Sequence, residues 1–407
     1  MAGHSGKLKT SNGPFSAVLG AELDRLAGES LLRRLRPLAG PQAAWVSLAS
    51  RPDYPLKNFS SNDYLGLAGH PLLKEAARAA IDTEGTGSGA SRLVCGSLPA
   101  HAALEESLAE FKRVPAALAF SSGYAAATGT LPALAGRGDT ILLDKLCHAC
   151  LVDAAKLSGA TLRVFPHNNM DVLAKKLSSV RAAGGGRVVI VAESVYSMDG
   201  DMAPLRELVE LKERHGAWLF LDEAHGVGVL GDRGRGLADA TGLSDRVEIQ
   251  MGTLGKALGS SGAYVCGCTE FRDLLVNRAR SFVFSTAPAP STAAAATAAI
   301  HLLSRTPEGP RLINRLHENI AAFCAAALRP PAPTPIVPVI TGSSESALEA
   351  SSRLMDAGYL VPAIRYPTVP REAARLRITI SAAHSAGDAE ALGRLIRRLQ
   401  DPDDAVP

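Results

Sequence analysis

The chain has 407 residues, 46% hydrophobic and 20% charged, with 43 basic against 40 acidic residues and a net charge of +3. That length exceeds what one hydrophobic core serves, so two domains are expected. The small net charge excludes a partner drawn in by long-range field alone, nucleic acid and membrane surface included, and points to a small-molecule enzyme.

The opening "MAGHSGKLKTSNGPF" has no apolar leader segment, and the most apolar stretch, "APAPSTAAAATAAIHLL", is broken by Pro and Ser and is shorter than a membrane span. A cytoplasmic protein is expected. Residues 1–55 read as an N-terminal helical arm, with "AELDRLAGESLLRRLRPL" helical and "GPQAAW" breaking it. The loop "GTGSGA", residues 85–90, fits the spacing of a dinucleotide-binding turn but follows the helical "LLKEAARAAIDTE" rather than a strand. Its glycines serve tight turns or close approach of backbone to a ligand.

Between residues 116 and 267 the runs "AALAF", "TILLD", "TLRVF", "RVVIVAE", "AWLFLDE", "VEIQMGT" and "GAYVCG" alternate with helix-length segments. Continuous apolar runs of this kind are strands covered on both faces, which predicts an α/β fold with a mostly parallel seven-stranded sheet in a large domain over 56–289. Ligands on such sheets bind beyond the carboxyl ends of the strands. There stand Glu193, Asp222, Thr253 and Lys256. From 290 to 407 an Ala-rich helix, a helix near 345–357, the strand "RLRITIS" and a last helix near 388–400 predict a smaller α+β domain; in the last helix Leu392, Leu395, Ile396 and Leu399 share one face.

Six cysteines in a chain without an export signal are expected to be reduced thiols. "CHAC" at 147–150 has the spacing of half a zinc site or of a redox pair, but "CGC" at 266–268 does not match it as a second half. No metal is expected. "GTLGKA" lacks the four-residue spacing and the hydroxyl of a nucleotide phosphate loop, and no nucleophile elbow occurs.

Lys256 stands among Gly255, Gly259, Ser260, Ser261 and Gly262, neighbours too small to fill the space around its amine. A lysine amine forms Schiff bases with carbonyl compounds, and pyridoxal phosphate is the carbonyl cofactor for which proteins keep a dedicated lysine and an acidic partner for the ring nitrogen. Asp222 of "LFLDEAHGVG", at the end of a neighbouring strand, is the candidate acid.

The motifs "SSNDYLGL", "FSSGYAAATG", "CHACLVDAA", "ESVYSMDGD", "LDEAHGVGVLG", "GTLGKALGSSG" and "AIRYPTVP…RLRITISAAH" occur in the order and spacing of the α-oxoamine synthases, so from about residue 30 onward the chain resembles that family of fold-type I pyridoxal phosphate enzymes. "AIRYPTVP" followed by "ISAAH" most resembles the branch that joins L-alanine to a pimeloyl thioester in biotin synthesis. Other branches use glycine with acetyl or succinyl thioesters, or serine with palmitoyl thioester.

The resemblance implies catalytic roles for Lys256, Asp222, His148 and His225, with Lys256 holding the cofactor and Asp222 facing its ring nitrogen. His225 would bond the ring hydroxyl, Ser197 would support the same side, and His148 would stack on the ring. Gly123 and Tyr124, at a strand-to-helix turn, would cradle the phosphate together with Thr253. Arg377 would clamp the amino-acid carboxylate. Asn62, Thr368 and an arginine of "LLRRLRP", Arg33 with Arg34 as neighbouring alternative, would line the acyl side, where Arg365 also fits. "FSTAP" at 284–288 resembles a segment that reaches the partner subunit's phosphate, implying a homodimer. Ala127 stands where many relatives carry asparagine. The acyl carrier would be coenzyme A or an acyl carrier protein, the latter met by Arg272, Arg278 and Arg280 of "RDLLVNRARSF".

Overall fold

The computed structural model describes residues 13–184 and 186–400; residues 1–12 of the expected arm and 401–407 of the expected small domain lie outside the described residues. Among the described residues thirteen strands are formed: β1 (Trp45–Leu48), β2 (Arg51–Asn58), β3 (Ala116–Phe120), β4 (Thr140–Asp144), β5 (Thr161–Phe165), β6 (Val188–Glu193), β7 (Trp218–Asp222), β8 (Ile249–Thr253), β9 (Ala263–Gly267), β10 (Ile336–Gly342), β11 (Tyr359–Leu360), β12 (Ala363–Ile364) and β13 (Ala374–Thr379).

The seven apolar runs form one sheet in the order β3-β9-β8-β7-β6-β4-β5, with only β9 running against the others. Strands β3, β4, β6 and β9 are buried along their whole length, whereas β5, at the sheet edge, is largely uncovered. Alternate residues point to opposite faces. Thus Ile141 and Leu143 pack with the helices Gly123–Leu134 and Ala149–Leu157, while Leu142 packs with Met170–Ala182 and Leu205–Arg214. The parallel strands β3, β4, β6, β7 and β8 deliver their carboxyl ends to one rim.

Two small sheets, β1-β2-β11 and β10-β13-β12, complete the strands. The arm departs from its expected form. Its helix is Pro14–Gly28, with Pro at the first turn, and the chain turns at Ser30 with φ 56°, so the amphipathic "LLRRLRP" is not helical. Beyond it, β1 and β2 form an antiparallel pair, and β2 runs parallel to β11, which joins the beginning of the chain to its last third. No helix among the described residues is long and apolar enough to cross a membrane.

Candidate active site

Three adjacent strand ends supply the acid and the base. Glu193 ends β6, Asp222 ends β7, and Thr253 ends β8 just before Lys256; Glu193 pairs in register with Asp222, and Asp222 with Met251. A cavity at this rim is lined by Lys256, Asp222, Glu193, His225, His148 and Thr253, together with Gly123 and Tyr124. A larger cavity, about 470 Å³ against about 220 Å³, lies by Trp45, Asp63 and His70. Both oxygens of its carboxylate are already engaged, since Asp63 accepts from the backbone N–H groups of Leu67 and Ala68. Chemistry, not size, selects the smaller one.

Within it, Nζ of Lys256 lies 2.8 Å from Nε2 of His225, whose Nδ1 lies 2.5 Å from the hydroxyl of Tyr64. Burial lowers the Lys256 amine to about 8, the carboxylates of Asp222 and Glu193 opposing that shift. Burial likewise holds the His225 ring neutral, and the cations of Lys256 and Arg377 add to it. Glu193 is pushed up to about 8 by burial and by its neighbour Asp222. Asp222 is raised by burial, with Lys256 pulling the other way.

Asp222 tests whether the residues fit pyridoxal phosphate. It is only 4% exposed, one carboxylate oxygen accepts from the N–H of Ala224 at 2.8 Å, and no donor among the described residues reaches the other. A carboxylate that lines the cavity with one oxygen still open suits a cationic donor, and the protonated nitrogen of the cofactor ring would be one. Elsewhere in the lining, Ser122 caps the helix Gly123–Leu134 by accepting from Ala125, and the N–H groups of Gly123 and Tyr124 have no acceptor among the described residues. Free N–H groups at a helix start suit a phosphate. The residues fit the group.

Other expected site residues are distributed as follows. His148 caps the helix Ala149–Leu157 through Nδ1, and its own N–H donates to Glu193, which turns the exposed ring toward the cavity. The hydroxyl of Thr253 donates to the carbonyl of Gly262 at 3.1 Å. Ser197 does not line the cavity; its carbonyl accepts from Nε of Arg377 at 2.6 Å. Arg377 is 5% exposed and also donates through Nη1 to Asn62 at 3.0 Å and Thr379 at 2.9 Å, while its Nη2 has no acceptor among the described residues. Arg33 donates to the carbonyl of Tyr366, in the loop that carries Thr368, whereas Arg34 makes no such contact. Arg365 donates to the carbonyl of Ser30.

One sequence argument changes. Gly259 and Gly262 have φ of +61° and +106°, and a Cβ on either would meet the backbone of Leu67 at 2.5 Å or Phe120 at 2.9 Å. Those glycines serve turn geometry and close packing rather than open space beside the amine. The thiols of "CHAC" are buried, that of Cys147 donates to the carbonyl of Val191, and burial pushes Cys150 up to about 12, so neither offers a thiolate. Tyr64 was not among the expected site residues, although "SSNDYLGL" carries it, and Glu193 was expected at the ligand-binding strand ends but without a role of its own.

Comparison with known proteins agrees with this geometry. A family model described as aminotransferase class I and II matches residues 55–398. The 8-amino-7-oxononanoate synthase of Pelobacter propionicus is 48% identical over 387 residues, covering 93% of this chain and 97% of that protein. A serine palmitoyltransferase variant from S. paucimobilis with bound pyridoxal phosphate and myriocin superposes with a TM-score of 0.88 at 26% identity, over 97% of this chain and 100% of that one. The 8-amino-7-oxononanoate synthase from Francisella tularensis gives 0.70 at 27% identity, over 86% and 99%. The chain therefore belongs to the aminotransferase class I and II family and, within it, to the pyridoxal phosphate-dependent α-oxoamine synthases.

Proposed function

We propose that the protein condenses L-alanine with a pimeloyl thioester to give 8-amino-7-oxononanoate, carbon dioxide and the free thiol carrier, the reaction named by its relatives. A bond forms between the alanine Cα and the acyl carbon, the C–S bond breaks with the thiol leaving, and the carboxylate departs as carbon dioxide. The observation that carries the reading is the Asp222 carboxylate, with one oxygen bonded to Ala224 and the other given no protein donor among the described residues, in the same cavity as the Lys256 amine.

Bound there, pyridoxal phosphate supplies an electron-accepting ring that stabilises a carbanion at the amino-acid Cα. Lys256 holds the cofactor and moves the Cα proton; an amine lowered to about 8 accepts and returns a proton near neutrality. Asp222 holds a proton on the ring nitrogen. His225, with Nδ1 held by Tyr64, would meet the free Lys256 amine through Nε2 and turn that same nitrogen to the ring hydroxyl once the cofactor is held, and Gly123, Tyr124 and Thr253 would hold the phosphate. Arg377 binds the amino-acid carboxylate through its free Nη2, and His148 covers the reacting face, so that the bond to be broken is held in line with the ring. Arg33, Asn62 and Thr368 line the acyl side, with Ser197 supporting Arg377.

Serine palmitoyltransferases superpose more fully than the Francisella synthase, but at 26% identity against 48% for the Pelobacter synthase, and side chains rather than backbone set substrate choice. The protein works as a cytoplasmic homodimer in this reading. Leu93, Val94 and Phe284 are exposed, and their loops are tied together by a bridge between Ser91 and Thr286, which supports an apolar contact surface there. Coenzyme A or an acyl carrier protein carries the acyl group; Arg272 already pairs with Asp273 and Arg280 lies over the ring of Phe284, which leaves Arg278 as the most available part of the basic rim.

The test mixes holoenzyme with alanine, glycine or serine and pimeloyl, acetyl or palmitoyl thioesters. Turnover is expected with alanine and pimeloyl thioester, and the visible cofactor band is expected to vanish in Lys256→Ala. Turnover confined to glycine with acetyl thioester, or to serine with palmitoyl thioester, overturns the substrate assignment; absence of a visible band in the wild type overturns the cofactor chemistry.

A further inference from the structure

Tyr64 is fully buried, and its hydroxyl stands between two acceptors, Nδ1 of His225 at 2.5 Å and Oδ1 of Asn62 at 3.3 Å. On one side His225 meets Lys256; on the other, Asn62 accepts from Arg377. Five side chains thus make an unbroken line from the amine to the guanidinium.

A tyrosine has one hydroxyl hydrogen, and a neutral imidazole has one donor and one acceptor nitrogen. When Lys256 is an ammonium it donates to Nε2, the ring proton sits on Nδ1 and donates to the Tyr64 oxygen, and the Tyr64 hydrogen turns to Asn62. When the amine is neutral, Nε2 carries the proton and donates to Nζ, and Tyr64 donates to Nδ1. The hydrogens along the line reverse together, and the far end is the amide oxygen that Arg377 shares.

We infer that Tyr64 is a positioning residue acting through His225: its hydroxyl fixes the tautomer and tilt of that ring and couples the proton on Lys256 to the Asn62–Arg377 pair. The charged groups around the line are Asp222 and Glu193 facing Lys256, Lys256, Arg377 and His148 facing His225, and Arg377 facing Tyr64. A ring between two cations stays neutral, the state in which one nitrogen donates and the other accepts.

This inference rests on the reading of Lys256 as the cofactor lysine and Arg377 as the carboxylate partner, so its test starts from wild-type holoenzyme that shows the visible band; without the band that reading fails, and Tyr64 is not the cause. In Tyr64→Phe the band and the cofactor affinity are expected to persist. The pH midpoint of the band moves, and kcat falls about tenfold, the worth of one buried hydrogen bond left unmade. A ring-fluorinated tyrosine at position 64, a stronger donor of nearly the same shape, moves the midpoint the opposite way and serves where the phenylalanine variant does not fold. In a His225→Gln background the Tyr64→Phe change is expected to cost less than twofold, because the partner through which it acts is gone. An unmoved midpoint in both position-64 variants, or a tenfold loss that persists without His225, overturns the inference.

Discussion

Glu193 and Asp222 face each other as backbone partners across β6 and β7, with both carboxyl groups buried at 3% and 4% exposure. Two carboxylates side by side in a low-dielectric site cannot both ionise freely, and here one of them also accepts the N–H that places His148. The pair makes the protein's stability depend on pH. Glu193 has a folded-state value near 8 against an ordinary 4.5, so its contribution is full below pH 4.5 and is lost as pH rises through 8. Lys256, near 8 against 10.5, contributes fully above 10.5 and loses that as pH falls through 8. Denaturant midpoints of the cofactor-free protein should therefore decline between pH 5 and 8, and Glu193→Gln, which keeps an oxygen for His148, should flatten the decline. An unchanged profile in that variant would remove the assignment to Glu193.

Arg377→Lys should raise KM for the amino acid about 10- to 100-fold while changing kcat much less, since a lysine cannot keep Ser197, Asn62 and Thr379 bonded and still present a fork to a carboxylate. Steady-state kinetics with the amino acid varied at saturating thioester decide it. A loss confined to kcat would place Arg377 elsewhere in the reaction.

Arg33→Ala should raise KM for the thioester about tenfold, and Arg34→Ala less than twofold, because only Arg33 reaches the Tyr366 carbonyl in the loop that carries Thr368. Equal effects of the two changes would mean that the arm acts as a diffuse basic surface.

Gly228→Ala should destabilise the protein by about 2 to 4 kcal/mol, through overpacking and a φ that side chains disfavour. Gly228 has φ +77°, and a Cβ there would lie 2.3 Å from that of Ala257, the residue after Lys256. Activity should fall with stability, because the displaced Ala257 carries the lysine with it. Adding Ala257→Gly should restore part of both, as read by denaturation midpoint and turnover; absence of any rescue would locate the strain in φ alone.

Much of this protein is written locally. All seven central strands fall within a residue or two of their predicted runs, and in all but the edge strand β5 the reason is burial on both faces, which leaves no polar position to hide the strand. Lys256 and Asp222 were legible for a related reason, since a charged side chain at the end of such a run has few structural uses. The arm was less legible. "LLRRLRP" has helical periodicity, yet Ser30 takes a left-handed φ and the segment after Gly28 extends toward Arg365 instead.

Tyr64 and Glu193 depended on tertiary structure. Tyr64 lies 161 residues from His225, and nothing local distinguishes it from a core aromatic. Glu193 reads as one more strand-end carboxylate until β7 is set beside β6. Composition, periodicity and motif spacing thus determined the sheet and singled out Lys256 and Asp222 as candidates at its rim, because those depend on neighbours close in the chain. Which hydrogen bonds join them, and which carboxyl holds its proton, depends on distances across the sheet and on exclusion of water, and only the folded chain decides both.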